Sequence, residues 1–367
     1  MSCDVAKGTF EPYVHAIETN ALRAPCEPAS VNIVSCKNPN LSVFLEEVDG
    51  LDFGTVEILQ RPLEFTTLIP IIDRGIFNSP EAHVKSEIVG ISLKDIFSSA
   101  PRKEKGIQVL PKLLLRHDIL RRPIFEGKKV ILFCSGRDIL IETLWQEFAS
   151  LDFVNSLCTT GFSAVTGLNY SIFFGECPFS HALNLKKSLK ATQLFQDAGI
   201  NVIPHIYFAH IFHLNRWIVW LKENPSVTTV SVNCQFRSPN DLGIIEQGIA
   251  YLLDNIGREI KVILEGSDPR KMKKLLRAYP SSIIVALKGL SLSAQFHKQY
   301  VYSNGVLVKS NRPGKNVDSI FNASIDNYAA FVKDLSSLSL QHRSRHTMKN
   351  ITSHIPRPLP SRNVQLS

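Results

Sequence analysis

The chain has 367 residues, of which 44% are hydrophobic and 20% charged, and this composition excludes a wholly disordered protein. No stretch reaches about 18 consecutive apolar residues and no apolar signal segment follows the N-terminus, so we expect a cytoplasmic protein without a membrane partner. The seven cysteines are widely spread and include no Cys-x-x-Cys pair, which argues against a disulfide framework and a zinc ribbon.

The formal net charge of +8 is unevenly distributed along the chain. Residues 1–100 carry a net charge of −7, residues 101–150 of +4 and residues 151–367 of +11. A basic body attracts nucleic acid or a phosphorylated small molecule through its long-range field; the alternative is a solvated surface with no polyanion partner. The N-terminal segment 1–60 is predicted to be an acidic extension.

Short apolar runs alternate with longer amphipathic segments along most of the chain. Two candidate strands, 67–72 and 87–93, come first, and they are followed by mixed extended and loop structure over 95–127 with an exposed loop at 101–106. From residue 128 the pattern becomes regular. It predicts strands at 129–134, 169–174, 201–207, 229–236, 261–266 and 282–289, and helices at 139–149, 182–198, 212–223, 242–256 and 269–278.

The later strands begin 21 to 32 residues apart, which is the length of a βα unit. Repeated βα units form either an open doubly wound sheet or a closed barrel. No Gly-x-Gly-x-x-Gly turn follows a strand, and the strand count is about eight, so the barrel is favoured. We predict an α/β domain over 61–335 that is a TIM-barrel-like or incomplete barrel, and a basic, disordered tail over 336–367.

Polar residues at the carboxyl ends of barrel strands line one shared mouth, and here they suit acid/base chemistry on an anionic ligand. We take Glu265 as general base or nucleophile, His205 as acid/base and Asp138 as a further catalytic carboxylate. The alternative is that strand ends are polar only because they meet water. The predicted substrate-binding residues are Arg137, Tyr207, Asn233, Arg237 and Lys288.

Other catalytic and metal-binding patterns are weak or missing. His205, His210 and His213 have the spacing of a loose metal site, but packing of His213 with Trp217 and Trp220 on the sheet is the favoured alternative. No metal and no cofactor are therefore predicted. Cys134 and Cys234 lie inside apolar strands, where thiols are usually inert. No Walker loop and no Gly-x-Ser-x-Gly elbow occur, which disfavours a P-loop ATPase and a serine hydrolase.

The segment 269–277 concentrates basic residues in one predicted helix. Arg270, Lys273, Lys274 and Arg277 follow at i, i+3, i+4 and i+7 and would share one face. This face is a candidate nucleic-acid-binding stripe, and an ordinary solvated helix surface is the alternative.

Residues 162–266 combine several features in a fixed order. Cys177-Pro178 precedes a helix with Asn184, Lys186 and Lys187; a Gly-x-x-Val-Ile-Pro element begins at Gly199; an aromatic segment includes Tyr207 and Trp217; and a strand ends at Gly266. This outline resembles an uncharacterised domain-of-unknown-function family of phages, plasmids and bacterial genomes. The resemblance implies a mobile-element context and a barrel-like α/β fold, and it implies no mechanism.

Two classes of function follow from these patterns. The first is an enzyme that acts on a nucleotide or nucleic-acid substrate at the barrel mouth, and the second is a noncatalytic factor that binds nucleic acid or protein through its basic surface. Convergence of Glu265, His205, Asn233 and Arg237 in one pocket would favour the enzyme.

Overall fold

The computed structural model describes residues 45–77, 83–104, 107–115, 118–147, 151–172, 178–235 and 239–342. Eight of its strands form one parallel sheet, and the other four form two antiparallel hairpins, β3–β4 and β11–β12. In chain order the strands are β1 (Leu68–Ile72), β2 (Ile88–Ser92), β3 (Phe97–Glu104), β4 (Ile107–Leu115), β5 (Lys129–Phe133), β6 (Ala164–Thr166), β7 (Val202–Ile203), β8 (Thr229–Asn233), β9 (Lys261–Glu265), β10 (Ile283–Leu287), β11 (Lys298–Ser303) and β12 (Val306–Asn311).

The parallel sheet closes on itself as a barrel. Its strand order is β7-β6-β5-β2-β1-β10-β9-β8, so each strand lies beside its neighbours in the chain once the hairpin β3–β4 is set aside. The two ends meet at a single parallel bridge, where the Ser231 N–H donates to the Pro204 carbonyl at 2.9 Å and the Ile206 N–H donates to the Ser231 carbonyl at 2.8 Å. This is the strand order of a TIM barrel, and the predicted fold class is confirmed.

Helices follow the barrel strands and cover the outer surface of the sheet. They are α1 (Arg74–Phe77), α2 (Leu93–Ile96), α3 (Asp138–Glu147), α4 (Leu151–Thr160), α5 (Pro178–Asp197), α6 (Ile211–Glu223), α7 (Pro239–Asn255), α8 (Lys273–Ala278), α9 (Leu290–Gln295) and α10 (Val317–His342). Within the described ranges, no helix is both long and apolar enough to cross a bilayer.

The barrel wall separates two apolar cores. Side chains alternate across a strand, so Ile131 and Phe133 of β5 lie inside the barrel while Val130 and Leu132 pack under the helices. A β-carbon at Gly90 of β2 would lie 2.5 Å from the Phe133 ring. Glycine at this position therefore makes room for the phenyl ring in the barrel interior.

Several predicted elements differ from the structure. The strand predicted at 169–174 is wrong, because β6 is Ala164–Thr166 and residues 168–172 leave the sheet. Their apolar pattern has another cause: Leu168, Tyr170 and Ile172 are buried in the outer core. The loop predicted at 101–106 is wrong over 101–104, which belong to β3, the strand that pairs with β4; residues 105–106 lie outside the described residues.

The described part of the predicted extension, residues 45–60, packs against the barrel. The Phe53 ring lies 4.9 Å from the Trp217 ring, and the buried Lys186 ammonium of α5 donates to the Asp52 carbonyl and to the Thr55 hydroxyl. At the other end, α10 continues past residue 336, where the predicted tail begins, to His342. Residues 1–44 and 343–367 lie outside the described residues.

Candidate functional site

A polar side chain lies at the inward-facing position at the carboxyl end of each barrel strand. On β9, Ile263 belongs to the inner core and Glu265, two residues later, lies on the same side; Ala286 and Lys288 have the same relation on β10. Because the carboxyl ends of parallel strands meet at one face of a barrel, these side chains surround one mouth. They are Asp73, Ser92, Ser135, Thr166, His205, Asn233, Glu265 and Lys288.

Glu265 is a carboxyl group buried in this mouth, with 0% of its surface exposed. Its Oε1 accepts a hydrogen bond from the Ser135 hydroxyl, which follows β5 on the opposite side of the barrel, whereas Oε2 has no hydrogen-bond partner in the described structure. Burial raises the pKa of Glu265, and the positive charge of Lys288 and the Ser135 hydrogen bond oppose that rise. A carboxyl group that keeps its proton to higher pH is suited to proton transfer.

Lys288 lies half-buried in the same mouth. It follows Ala286 by two residues on the inward side of β10, and Ala286 pairs with Glu265 of β9. Burial lowers the pKa of Lys288, while the charges of Glu265, Asp95 and Asp73 raise it and that of Lys94 lowers it. No acid in the described ranges forms an ion pair with Lys288. Several charged side chains therefore act on the Lys288 amino group, but none of the described acids forms an ion pair with it.

His205 lies at the barrel seam, just beyond β7. Only 2% of the side chain is exposed; its Nδ1 is 3.0 Å from the Ser231 hydroxyl oxygen of β8, and its Nε2 has no hydrogen-bond partner among the described residues. Burial lowers the pKa of His205 to about 3. The imidazole is thus neutral at physiological pH, so its available role is a hydrogen bond from or to Nε2 rather than proton donation by an imidazolium.

The other predicted site residues are not all brought together. Asn233 lies in the mouth, where its side-chain oxygen accepts a hydrogen bond from the Gln235 N–H at 2.9 Å. Tyr207 instead packs against the outer core, and Arg137 is exposed between β5 and α3. Arg237 lies outside the described residues.

Asp138 belongs to a different polar cluster, between α3 and α5. The Ser171 hydroxyl donates to Asp138 at 2.5 Å. Burial raises the pKa of Glu142, one turn along α3, and the charges of Glu47 and Asp138 add to that rise. Lys187 of α5 forms an ion pair with Glu142 at 3.5 Å. Asp138 therefore contacts the connection that follows β6, away from the inward ring that contains Glu265.

The three histidines of the loose metal pattern do not converge. His210 and His213 cluster with His181, with ring centroids 5.3–6.3 Å apart, and His205 is not among these ring contacts. The His213 Nδ1 accepts hydrogen bonds from the Ala209 and His210 N–H groups. In the part of the chain that the structure describes, no group of three His, Cys, Asp or Glu side chains is arranged to hold a metal ion.

The two strand cysteines are buried thiols. Burial and the nearby charge of Glu265 raise the pKa of both Cys134 and Cys234, so neither forms a thiolate readily. Their placement agrees with the expectation of inert core cysteines.

The basic segment 270–277 forms a looser group than its spacing predicts. The helix α8 begins at Lys273, so Arg270 lies in the preceding turn and the helical spacing that grouped it with Lys273 does not apply. Arg270 forms an ion pair with Asp268, and its guanidinium carbon lies 5.3 Å from the centroid of the Tyr300 ring. Lys273, Lys274 and Arg277 are exposed and form no ion pair with an acid of the described ranges.

Sequence reasoning missed part of the mouth. Asp73, Ser92 and Thr166 were not singled out, although each lies two residues beyond an apolar inward position of its strand. The sequence pattern that could have found them is the alternation of side chains along each strand, in which the last inward residue is polar. Asp95, which follows β2, was also missed, because it lies in the short helix α2 rather than in a strand.

Comparisons with known proteins add little to this geometry. No protein-family profile matches the sequence, and no curated protein matches it either. Among solved structures, the YdjI aldolase from Escherichia coli is similar over 80% of this chain and 95% of its own, with 10% sequence identity and a TM-score of 0.37. We draw no conclusion about activity from that likeness.

Proposed function

We propose that this protein is an enzyme that transfers a proton to or from a small molecule bound in the barrel mouth, with Glu265 as the group that gives or takes the proton. The observation that carries the proposal is the fully buried Glu265 carboxyl with one unpartnered oxygen. A buried, unsatisfied carboxyl costs folding free energy, so its presence at the mouth of a barrel favours a functional role over a structural one.

The surrounding side chains have separate roles in this proposal. Ser135 orients the Glu265 carboxyl through its hydrogen bond, and the neutral His205 offers Nε2 to a polar group of the substrate. Lys288 supplies either a positive charge or an amine. A nucleotide or another phosphorylated substrate is the finer proposal, and Arg237 would be its phosphate-binding group.

Incubation with a deproteinised metabolite extract tests the proposed activity. We expect the intact protein to change the amount of at least one metabolite, as followed by mass spectrometry, and the Glu265→Gln variant to leave that metabolite unchanged. Glu223→Gln is the matched control, because Glu223 is exposed at the end of α6. Equal conversion by the intact protein and by Glu265→Gln would contradict the proposal.

A second candidate function is polyanion binding by the exposed basic surface. The specific observation is that Lys273, Lys274 and Arg277 are exposed and make no ion pairs in the described structure, while Lys309 of the neighbouring hairpin lies over the Tyr300 ring at 5.3 Å. Basic side chains beside aromatic rings suit the backbone and bases of single-stranded nucleic acid.

We expect this binding to tolerate changes of sequence and to weaken steeply with salt, since each neutralised phosphate releases roughly 0.7 to 0.9 of a counterion. The double variant Lys273→Glu/Lys274→Glu should bind a fluorescent oligonucleotide less tightly and with a shallower salt dependence, as measured by anisotropy. Lys222→Glu, on the exposed surface of α6, is the control. Unchanged affinity in the double variant would assign these lysines to solvent alone.

A further inference from the structure

We propose that Lys288 is a nucleophile that forms an imine with a small hydroxylated aldehyde or ketone in the barrel mouth. The inference deepens the proposed function, because it rests on the mouth being an active site and names the class of substrate.

Lys288 lies on the inward side of β10, at the carboxyl end of the strand. It continues the inward row of β10 after Ile284 and Ala286, and it lies about 6–7 Å along the strand beyond the residue that pairs with Glu265. The side chain is half-buried, and no acid of the described ranges forms an ion pair with it. A lysine held in an ion pair would keep its proton, whereas a desolvated lysine without one is available as a nucleophile.

The charges around Lys288 favour an uncharged substrate group, such as a carbonyl, next to the amine. Three acids, Asp73, Asp95 and Glu265, act on the Lys288 amine, against one further base, Lys94. An anionic group placed here would be repelled by the carboxylates of Asp73 and Asp95. The neutral polar groups of the mouth suit the hydroxyls of a carbonyl compound instead, because Ser92 Oγ and His205 Nε2 are buried and have no hydrogen-bond partner among the described residues.

The chemical step balances with groups that the mouth contains. The lone pair of the neutral Lys288 amine attacks the carbonyl carbon, and a proton moves from nitrogen to oxygen to give a carbinolamine. The protonated Glu265 carboxyl then gives its proton to the departing hydroxyl, which leaves as water. The products are a protonated imine on Lys288 and an ionised Glu265, whose opposite charges stabilise each other.

Reductive trapping tests the proposal. The intact protein is incubated with dihydroxyacetone or with glyceraldehyde and sodium cyanoborohydride at neutral pH, and modified lysines are located by peptide mass spectrometry. We expect modification of Lys288 to exceed that of the exposed Lys94 at the same mouth several-fold. Its rate should saturate with carbonyl concentration, whereas modification of exposed lysines rises linearly.

Three variants control the trapping. Lys288→Arg keeps the positive charge and should remove the saturable modification, Lys94→Arg should leave it unchanged, and Glu265→Gln should slow it without moving it to another lysine. Thermal unfolding of each variant checks that the barrel is intact. The proposal would be overturned if neither carbonyl compound modified Lys288, or if Lys288 were modified no faster than Lys94.

The experiment separates this inference from the proposed function. Loss of metabolite conversion in Glu265→Gln together with an unmodified Lys288 would end the imine proposal and leave proton transfer by Glu265 standing. Saturable modification of Lys288 with unchanged conversion in Glu265→Gln would support the imine and contradict the role of Glu265.

Discussion

Glu265→Gln is expected to make the protein more stable and less active at the same time. The substitution replaces a buried ionisable group by a neutral one of the same shape, and Gln can still accept the Ser135 hydrogen bond through its side-chain oxygen. We expect the free energy of unfolding to rise near pH 7, because the folded variant has no buried carboxyl to ionise; each unit by which burial raises the pKa of Glu265 corresponds to about 1.4 kcal/mol. Turnover of the metabolite found by profiling should fall by a factor of roughly 10² to 10⁴.

The gain in stability of Glu265→Gln over the native protein should increase as pH rises. The pKa of Glu265 is raised by burial, so the folded protein holds this proton more tightly than the unfolded chain. Below the unfolded pKa both states are protonated and the two proteins should be equally stable. As pH rises through and beyond the unfolded pKa, the native protein loses stability relative to Glu265→Gln, until the folded pKa is passed and the difference becomes constant.

Urea unfolding of both proteins between pH 4 and pH 8 measures this difference. Glu223→Gln, which changes an exposed carboxyl, should show no such trend. If Glu265→Gln were less stable than the native protein at every pH, the buried carboxyl would stabilise the fold instead of costing stability, and the functional proposal would lose its main support.

Gln60→Ala is expected to cause the largest loss of stability, about 3 kcal/mol, because Gln60 closes the weakest seam of the barrel. The strand β7 has two residues and meets β8 only through the bridge at His205. Below that bridge the Gln60 amide nitrogen donates to the Val202 carbonyl at 2.9 Å and to the Thr229 carbonyl at 2.8 Å, and its oxygen accepts from the Thr229 N–H at 2.9 Å. Alanine leaves these buried backbone groups without partners, and each unsatisfied group costs about 1–3 kcal/mol.

Chemical denaturation compares Gln60→Ala with Gln247→Ala, which removes an exposed glutamine from α7 and should change stability by less than about 0.5 kcal/mol. Gln60→Glu provides a second comparison, since it keeps the shape and loses the donor: it should be less stable at pH 8 than at pH 4, where a protonated carboxyl can still donate. Stability of Gln60→Ala within about 0.5 kcal/mol of the native protein would mean that the seam closes without the amide.

Several features of the fold were open to prediction because they are local. Seven of the eight predicted strands overlap barrel strands, since a strand buried on both faces needs a continuous apolar run wherever it pairs. The exception is 169–174, where Tyr170 and Ile172 are apolar because they pack beneath helices. Burial sets the residue type in both cases, so composition alone does not distinguish a paired strand from a buried connection.

Part of the candidate site follows from local sequence patterns, and part depends on contacts between residues far apart in the chain. The position of Glu265 and Lys288 at strand ends follows from the period-two alternation of β9 and β10, and their choice as candidates needed only the sequence. The contact between Glu265 and Ser135 joins residues 130 apart in the chain and depends on the curvature of the closed barrel. Asp138, equally polar and also at a strand end, instead contacts Ser171 outside the inward ring.

By itself the sequence determined the βα alternation, seven of the eight barrel strands and the identity of the charged residues at their ends, because hydrophobic periodicity and strand-end polarity are encoded over a few residues. Only the tertiary structure decided that β7 and β8 meet through Gln60, that the helix predicted from residue 269 begins at Lys273, and that one oxygen of Glu265 has no partner among the described residues. These outcomes depend on hydrogen bonds and burial between segments far apart in the chain, and no local pattern specifies them.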